Sequence, residues 1–260
     1  MATRLAPCAL PTVRNRLHQD YWLKQLREVP PPPQIPGDRP GGDDGDLSAA
    51  RVDLALDAEL VSRLRTVGSA HGASLVATML TGFAGLLQQR TGQDDLVIGL
   101  AAAGQSFHDQ GRLVGHCVNL LPLRLQIDGA DSFTDALRGT RGALLDAYDH
   151  QGVSVGTLSE QLNLTRVGNR PPLVSVVFNI DVRDDDIRHT GLTVGYETLV
   201  RQTETFELFI NVVDSGSAMV LEASYRTALY SAELIRNLLA QFENLLRNVC
   251  SNPAATVGQL

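Results

Sequence analysis

Six histidines, at positions 18, 71, 108, 116, 150 and 189, are the side chains of this sequence best suited to moving protons near neutral pH. None is spaced from a second histidine as metal ligands on one helix face would be, and no HExxH occurs. Serine hydrolysis through a strained elbow would need GxSxG, and phosphate cradling would need GxGxxG or GxxxxGK; neither pattern is present. Lys24 is the sole lysine, in an ordinary helix-like stretch, which leaves almost no amine for Schiff-base chemistry. Asp184, Asp185 and Asp186 could attract a cation. They lack the alternating ligands and the glycine of a calcium loop and read as a solvated charged turn.

Three local clusters remain. In Leu113–Arg124 a loop enters a strand, and Asn119 and Arg124 are candidates for the edge of a cleft; the plainer reading is that Asn119 ties backbone groups together there. His116 and Cys117 are adjacent, so on an extended chain they point to opposite faces and form no dyad. In Asp149–Ser154, His150 is a candidate general base, although a histidine at a helix C-terminus is commonly there for the dipole alone. In Gly168–Leu173 the proline pair forces an extended entry into the strand Val174–Asn179 that follows; the loop either delivers that strand to a substrate channel or is a plain turn.

The elements that must hold these clusters are legible from periodicity. Residues 30–46 carry proline and glycine too densely for a helix or central strand, so residues 1–46 divide into a short helix around Tyr21–Leu26 and a linker, with the main domain over 47–260. Alternation predicts strands at Arg51–Leu56, Leu121–Ile127, Phe206–Val212 and Leu221–Tyr225. Short apolar runs predict two more, at Asp95–Leu100 and Leu173–Ile180, the latter buried on both faces. Asp57, Ser74, Ser132 and Ser231 each stand one residue before an apolar stripe of helical period, as N-caps do. Strands and helices mix without strict βαβ alternation. The expected fold class is therefore α/β, a mixed β-sheet with helices packed on it.

Composition narrows the function. With 22 basic and 29 acidic residues the chain carries a formal charge of −7, which disfavours nucleic acid as a partner. No apolar run reaches membrane-helix length, and Arg4, Pro7, Pro11, Arg14 and Arg16 interrupt any signal-peptide core, so a cytoplasmic location is expected. Three cysteines at 8, 117 and 250, without CxxC spacing, favour neither a disulfide framework nor a zinc site.

In order and spacing the clusters resemble the C-terminal half of the condensation domains of nonribosomal peptide synthetases. Those domains belong to the chloramphenicol-acetyltransferase-like superfamily. The resemblance rests on Tyr21-Trp22 with Leu26 and Asp38-Arg39-Pro40, on Ser74–Leu87, Asp94–Gly99 and Val114–Arg124, on Asp149–Gln151, on Asn169–Leu173 through Phe178-Asn179, and on Thr205–Leu208 and Tyr225–Leu229. It covers roughly residues 20–255. His116-Cys117 stands where the family has another pair, and the acidic and proline positions after Gln151 are absent.

The resemblance implies a site at which an acceptor amine, carried on the phosphopantetheine arm of a carrier protein, attacks a donor thioester. It implies no directly bound cofactor. The family's HHxxxDG motif belongs to the N-terminal half, and no histidine here begins HxxxDG. The expectation is an acceptor-side half that contributes Asn119, Arg124, His150, Asn169, Arg170, Phe178 and Asn179 to a channel, supplies no catalytic residue and is inactive alone. Its expected partners are a carrier protein and either an N-terminal half or a second copy of itself. The alternative is a non-catalytic docking module for a carrier protein or a tailoring enzyme. An independent acyltransferase would have to fall back on His150 as base.

Overall fold

A computed structural model describes residues 12–39, 45–103, 117–165, 170–183, 191, 198–216 and 218–260. Its centre is a six-stranded sheet built from β1 (Ala49–Leu56), β2 (Asp95–Ala103), β3 (Val118–Gln126), β4 (Val176–Val182), β5 (Leu208–Asp214) and β6 (Met219–Arg226), in the order β1-β6-β5-β4-β2-β3. The β2–β4 and β4–β5 pairs are parallel and the other three pairs antiparallel, which is the mixed sheet expected. The parallel centre explains the near-continuous apolar run of β4: Val176, Val177 and Phe178 are all buried, and a strand inside a covered sheet needs apolar side chains on both faces.

Six helices accompany the sheet: α1 (Thr12–Gln25), α2 (Ala58–Ala70), α3 (Leu75–Thr91), α4 (Phe133–Asp149), α5 (Val155–Gln161) and α6 (Ala232–Ser251). The four predicted caps are all present. Asp57, Ser74, Ser132 and Ser231 each accept a backbone N–H three residues on, satisfying a donor the helix itself cannot. Gly92 closes α3 at φ 70°, a left-handed conformation in which side chains other than glycine are strained.

One sheet face is fixed by aromatic contacts. Phe178 of β4 stacks on Phe83 of α3 at 5.4 Å, and Phe83 meets Phe242 of α6 edge-on at 5.7 Å. The helices come close here because Gly82 leaves room; a Cβ on it would lie 2.9 Å from Leu246.

Two elements depart from expectation. α1 starts at Thr12 instead of near Tyr21, and a seven-residue helix, α5, follows the Ser154 cap where no element was expected. The proline-rich stretch is not wholly a surface linker: Ile35 is 5% exposed and joins the core.

Candidate functional site

The sheet face turned away from Phe83 and Phe242 carries a row of polar side chains in strict register. Asn179 of β4 pairs with Asn211 of β5, Asn211 with Glu222 of β6, and Glu222 with Asp53 of β1. Partners in register share a face, so four neighbouring strands line up four polar groups. Their side chains are joined. The Asn179 amide donates to Asn211 Oδ1 at 2.8 Å and to Asp181 Oδ1 at 3.0 Å, and Asn211 donates to Glu222 Oε2 at 3.1 Å. Arg51 completes the row. It holds Asp53 through two nitrogens at 2.9 and 3.0 Å, donates to the Thr198 carbonyl at 3.0 Å and lies 3.4 Å from Glu222 Oε1.

Asn211 and Glu222 are 8% and 7% exposed. Buried amides and carboxylates persist only where hydrogen bonds offset lost hydration. The row is closed in the middle and open at both ends: Asn179 is half-buried beside exposed Asp181, and Asp53 on the edge strand β1 is exposed. Leu199 and Val200, next to the Thr198 carbonyl that Arg51 holds, are 85% and 56% exposed. With its amides and carboxylates, the row can orient a ligand's N–H groups. It contains no imidazole to move a proton.

A second polar cluster sits where β5 begins and β6 ends. Arg170 Nε meets Glu207 Oε1 at 2.9 Å, and the Tyr230 hydroxyl donates to Glu207 Oε2 at 3.2 Å. Arg226, fully buried, donates to the Asp46 carbonyl at 2.9 Å. Burial, reinforced by the Glu207 charge, pushes the Tyr230 phenol far above its ordinary value and keeps it a neutral donor.

The sequence candidates fall into different settings. Asn119 donates to the carbonyls of Gln151 at 2.8 Å and Val153 at 2.9 Å, holding the loop after α4 to the start of β3, which is the plainer of its two readings. Arg124 grips Asp95 on β2, at 2.9 Å through Nε and 2.6 Å through a terminal nitrogen, and donates to the Gln25 carbonyl that ends α1. His150 stacks under Tyr21 at 3.9 Å and meets His18 edge-on at 5.5 Å. Its Nδ1 lies 2.8 Å from the Asp146 carbonyl and its own carbonyl accepts from Trp22 Nε1 at 2.8 Å, so the residue clamps α1 onto α4. Burial and then the Asp146 charge push the Tyr21 phenol up to about 12.

Phe178 is fully buried; its ring is in the core on the opposite face from Asn179. Arg170 and Asn179 belong to the two polar clusters, whereas Asn169, like Asp184–Asp186, lies outside the described residues. Sequence reading missed Arg51, Asn211 and Glu222. The available signal was a single amide or carboxylate in the polar phase of an otherwise apolar strand. Among the described residues no group of three or more His, Cys, Asp or Glu side chains could hold a metal ion, and no single helix is long and apolar enough to cross a membrane.

Comparison with known proteins adds the following. A family model described as "Condensation domain" matches residues 11–260. Bacitracin synthase 3 of Bacillus licheniformis is 26% identical over 246 residues, covering 93% of this chain, and the chain spans only 4% of that protein's length. The condensation domain from the Monacolin K polyketide synthase MokA superposes with a TM-score of 0.80 at 20% identity, over 95% of this chain and 59% of that one. The X-domain in complex with OxyB from teicoplanin biosynthesis gives 0.82 at 19% identity, over 100% of this chain and 62% of that one. At these identities the structural likenesses establish the fold.

Proposed function

The chain belongs to the condensation-domain family, and on that premise we propose that it is the C-terminal, acceptor-side half of such a domain, acting in amide-bond formation between carrier-bound thioesters. Its role is to form one wall of a reaction channel whose other wall brings the HHxxxDG histidine. The observation that carries this reading is the pairing of a six-stranded fold that superposes over 95% of this chain but only 59% of a solved condensation domain with a sequence in which no histidine begins HxxxDG.

The face bearing Asn179, Asn211, Glu222 and Arg51 is the wall that meets the second half. Ligand sites commonly lie in clefts between two such bodies. Forming the amide requires amine and thioester to be held together, and orientation supplies a large part of the rate only when both are fixed. One wall orients the acceptor; the partner wall handles its proton. No cofactor is held by the chain itself, and the phosphopantetheine arm arrives on a carrier protein.

The experiment is a binding comparison. The chain is titrated with a purified N-terminal condensation half and, separately, with a loaded carrier protein. Tight binding to the half-domain, lost when Asn179 and Asp181 are both changed to arginine, supports the reading. Binding to the carrier with none to the half-domain overturns it in favour of a docking module, the second reading, which draws support from the likeness to an X-domain solved in complex with OxyB.

A further inference from the structure

We propose that two copies of this chain associate through the outer face of α4, antiparallel, about a two-fold axis at Gly142. The inner stripe of α4 is spent on the core: Phe133, Ala136, Leu137, Thr140, Leu144 and Ala147 are all buried. Opposite it, Asp135, Arg138, Gly142, Leu145 and Asp149 recur at alternating three- and four-residue spacing, the seam by which one helix meets another. All five are exposed, and Leu145 leaves 53% of its surface in solvent.

The glycines of this helix have no use inside the chain. A Cβ added to Gly139 or Gly142 would meet nothing within 4 Å, so packing within the chain does not require them, and glycine is among the poorest residues for a helix interior. Two-fold symmetry gives them a use. In an antiparallel pair centred on Gly142, residues equally far before and after it face each other. Leu145, three residues after, enters the space left over the partner's Gly139, and the reverse contact forms as well. Arg138, four residues before, meets the partner's Asp146, again twice. Gly142 on the axis lets the backbones approach closely.

The charges agree with this register. Asp146 is exposed, while Arg138 already reaches Asp135 of its own helix at 2.6 Å and can bridge both carboxylates. Asp135 and the partner's Asp149 lie toward the ends, where crossing helices have diverged. The contact is small. A helix of 17 residues is about 25 Å long, and a pair of them buries less than the roughly 1,200 Å² at the low end of stable complexes. A weak, concentration-dependent dimer is therefore expected.

Sedimentation velocity on the full 260-residue chain, from low micromolar to several hundred micromolar, tests this. Wild type should shift from monomer to dimer across that range. Leu145→Glu should remain monomeric throughout. Arg138→Glu should weaken association at least tenfold, and Arg138→Glu combined with Asp146→Arg should restore it. Gly139→Leu should abolish the dimer without lowering the melting temperature, which separates lost association from lost folding. A wild-type chain that stays monomeric, a dimer that Leu145→Glu leaves intact, or a double charge reversal that fails to restore association would each overturn the proposal.

Discussion

Asn211 and Glu222 face each other across β5 and β6, joined by a 3.1 Å hydrogen bond, with each more than nine-tenths buried. Among the described residues, Glu222 Oε1 has the longer 3.4 Å approach of Arg51, which is itself committed to Asp53 and the Thr198 carbonyl. The pair therefore depends on the amide. It is the middle of the row that the proposed wall presents to its counterpart.

Asn211→Ala should destabilise the chain by about 1–3 kcal/mol, because a buried carboxylate loses its donor. Replacing Asn211 and Glu222 together by leucine should cost less, since Asn179 can turn to water and Arg51 keeps its other partners. Urea unfolding of the three proteins measures the difference, and a double variant less stable than Asn211→Ala would contradict this account of the row.

The clamp on α1 gives a second test. Trp22 is the sole tryptophan, is 1% exposed and donates to the His150 carbonyl. Trp22→Phe keeps the ring packing and removes that bond, for an expected loss of about 0.5–1.5 kcal/mol. Trp22→Ala empties a core site and should cost about 3–5 kcal/mol. In the wild type, emission from this single indole should shift to the red in the same transition as the loss of far-ultraviolet circular dichroism. An earlier shift would mean that α1 undocks on its own.

Gly99 marks where the face opposite the aromatic stack is tightest. A Cβ on it would lie 2.6 Å from Val174 and 3.0 Å from Leu120, both branched side chains on neighbouring segments. Gly99→Ala should therefore destabilise by about 1–3 kcal/mol through overpacking, despite alanine's smaller entropic cost on folding. Thermal unfolding that leaves the variant as stable as wild type would show that the neighbours yield.

Acid should loosen the molecule through its capping carboxylates. The Asp57 carboxyl is held below its ordinary value by the Leu60 amide and then by Arg247. The folded chain thus binds that proton less readily than the unfolded chain. The stabilisation is complete above the ordinary aspartate value, near 4, and is lost as pH falls through the lower folded value. Asp135, bonded to Ser132 and Arg138, has the same sign. The melting temperature should fall as pH drops below about 4, and Asp57→Asn should lower it at neutral pH while flattening that fall. An unchanged slope would dissociate Asp57 from the acid limb.

Local signals in the sequence were enough for most of the fold. A cap announces itself by one side chain one residue before an apolar stripe, and Asp57, Ser74, Ser132 and Ser231 did so. The sheet's mixed character followed from strands and helices succeeding one another without strict βαβ alternation. The candidate site was much less legible. Asn211 and Glu222 are eleven residues apart, but Asn179 lies 32 residues from Asn211 and Arg51 comes from the far edge of the sheet, so only strand order brings them together. His150 shows the converse: its place at the end of α4 was legible, but its stacking on Tyr21 was not, because that contact is made with α1, well over a hundred residues away in sequence.

The most direct measurement is an amide-forming assay with a donor thioester on one carrier protein and an aminoacyl thioester on another, run with this chain alone and with an N-terminal condensation half bearing HHxxxDG added. The account predicts no product above the uncatalysed background in the first case and turnover in the second. Amide formation by the chain alone, sensitive to replacement of one of its own histidines, would contradict it.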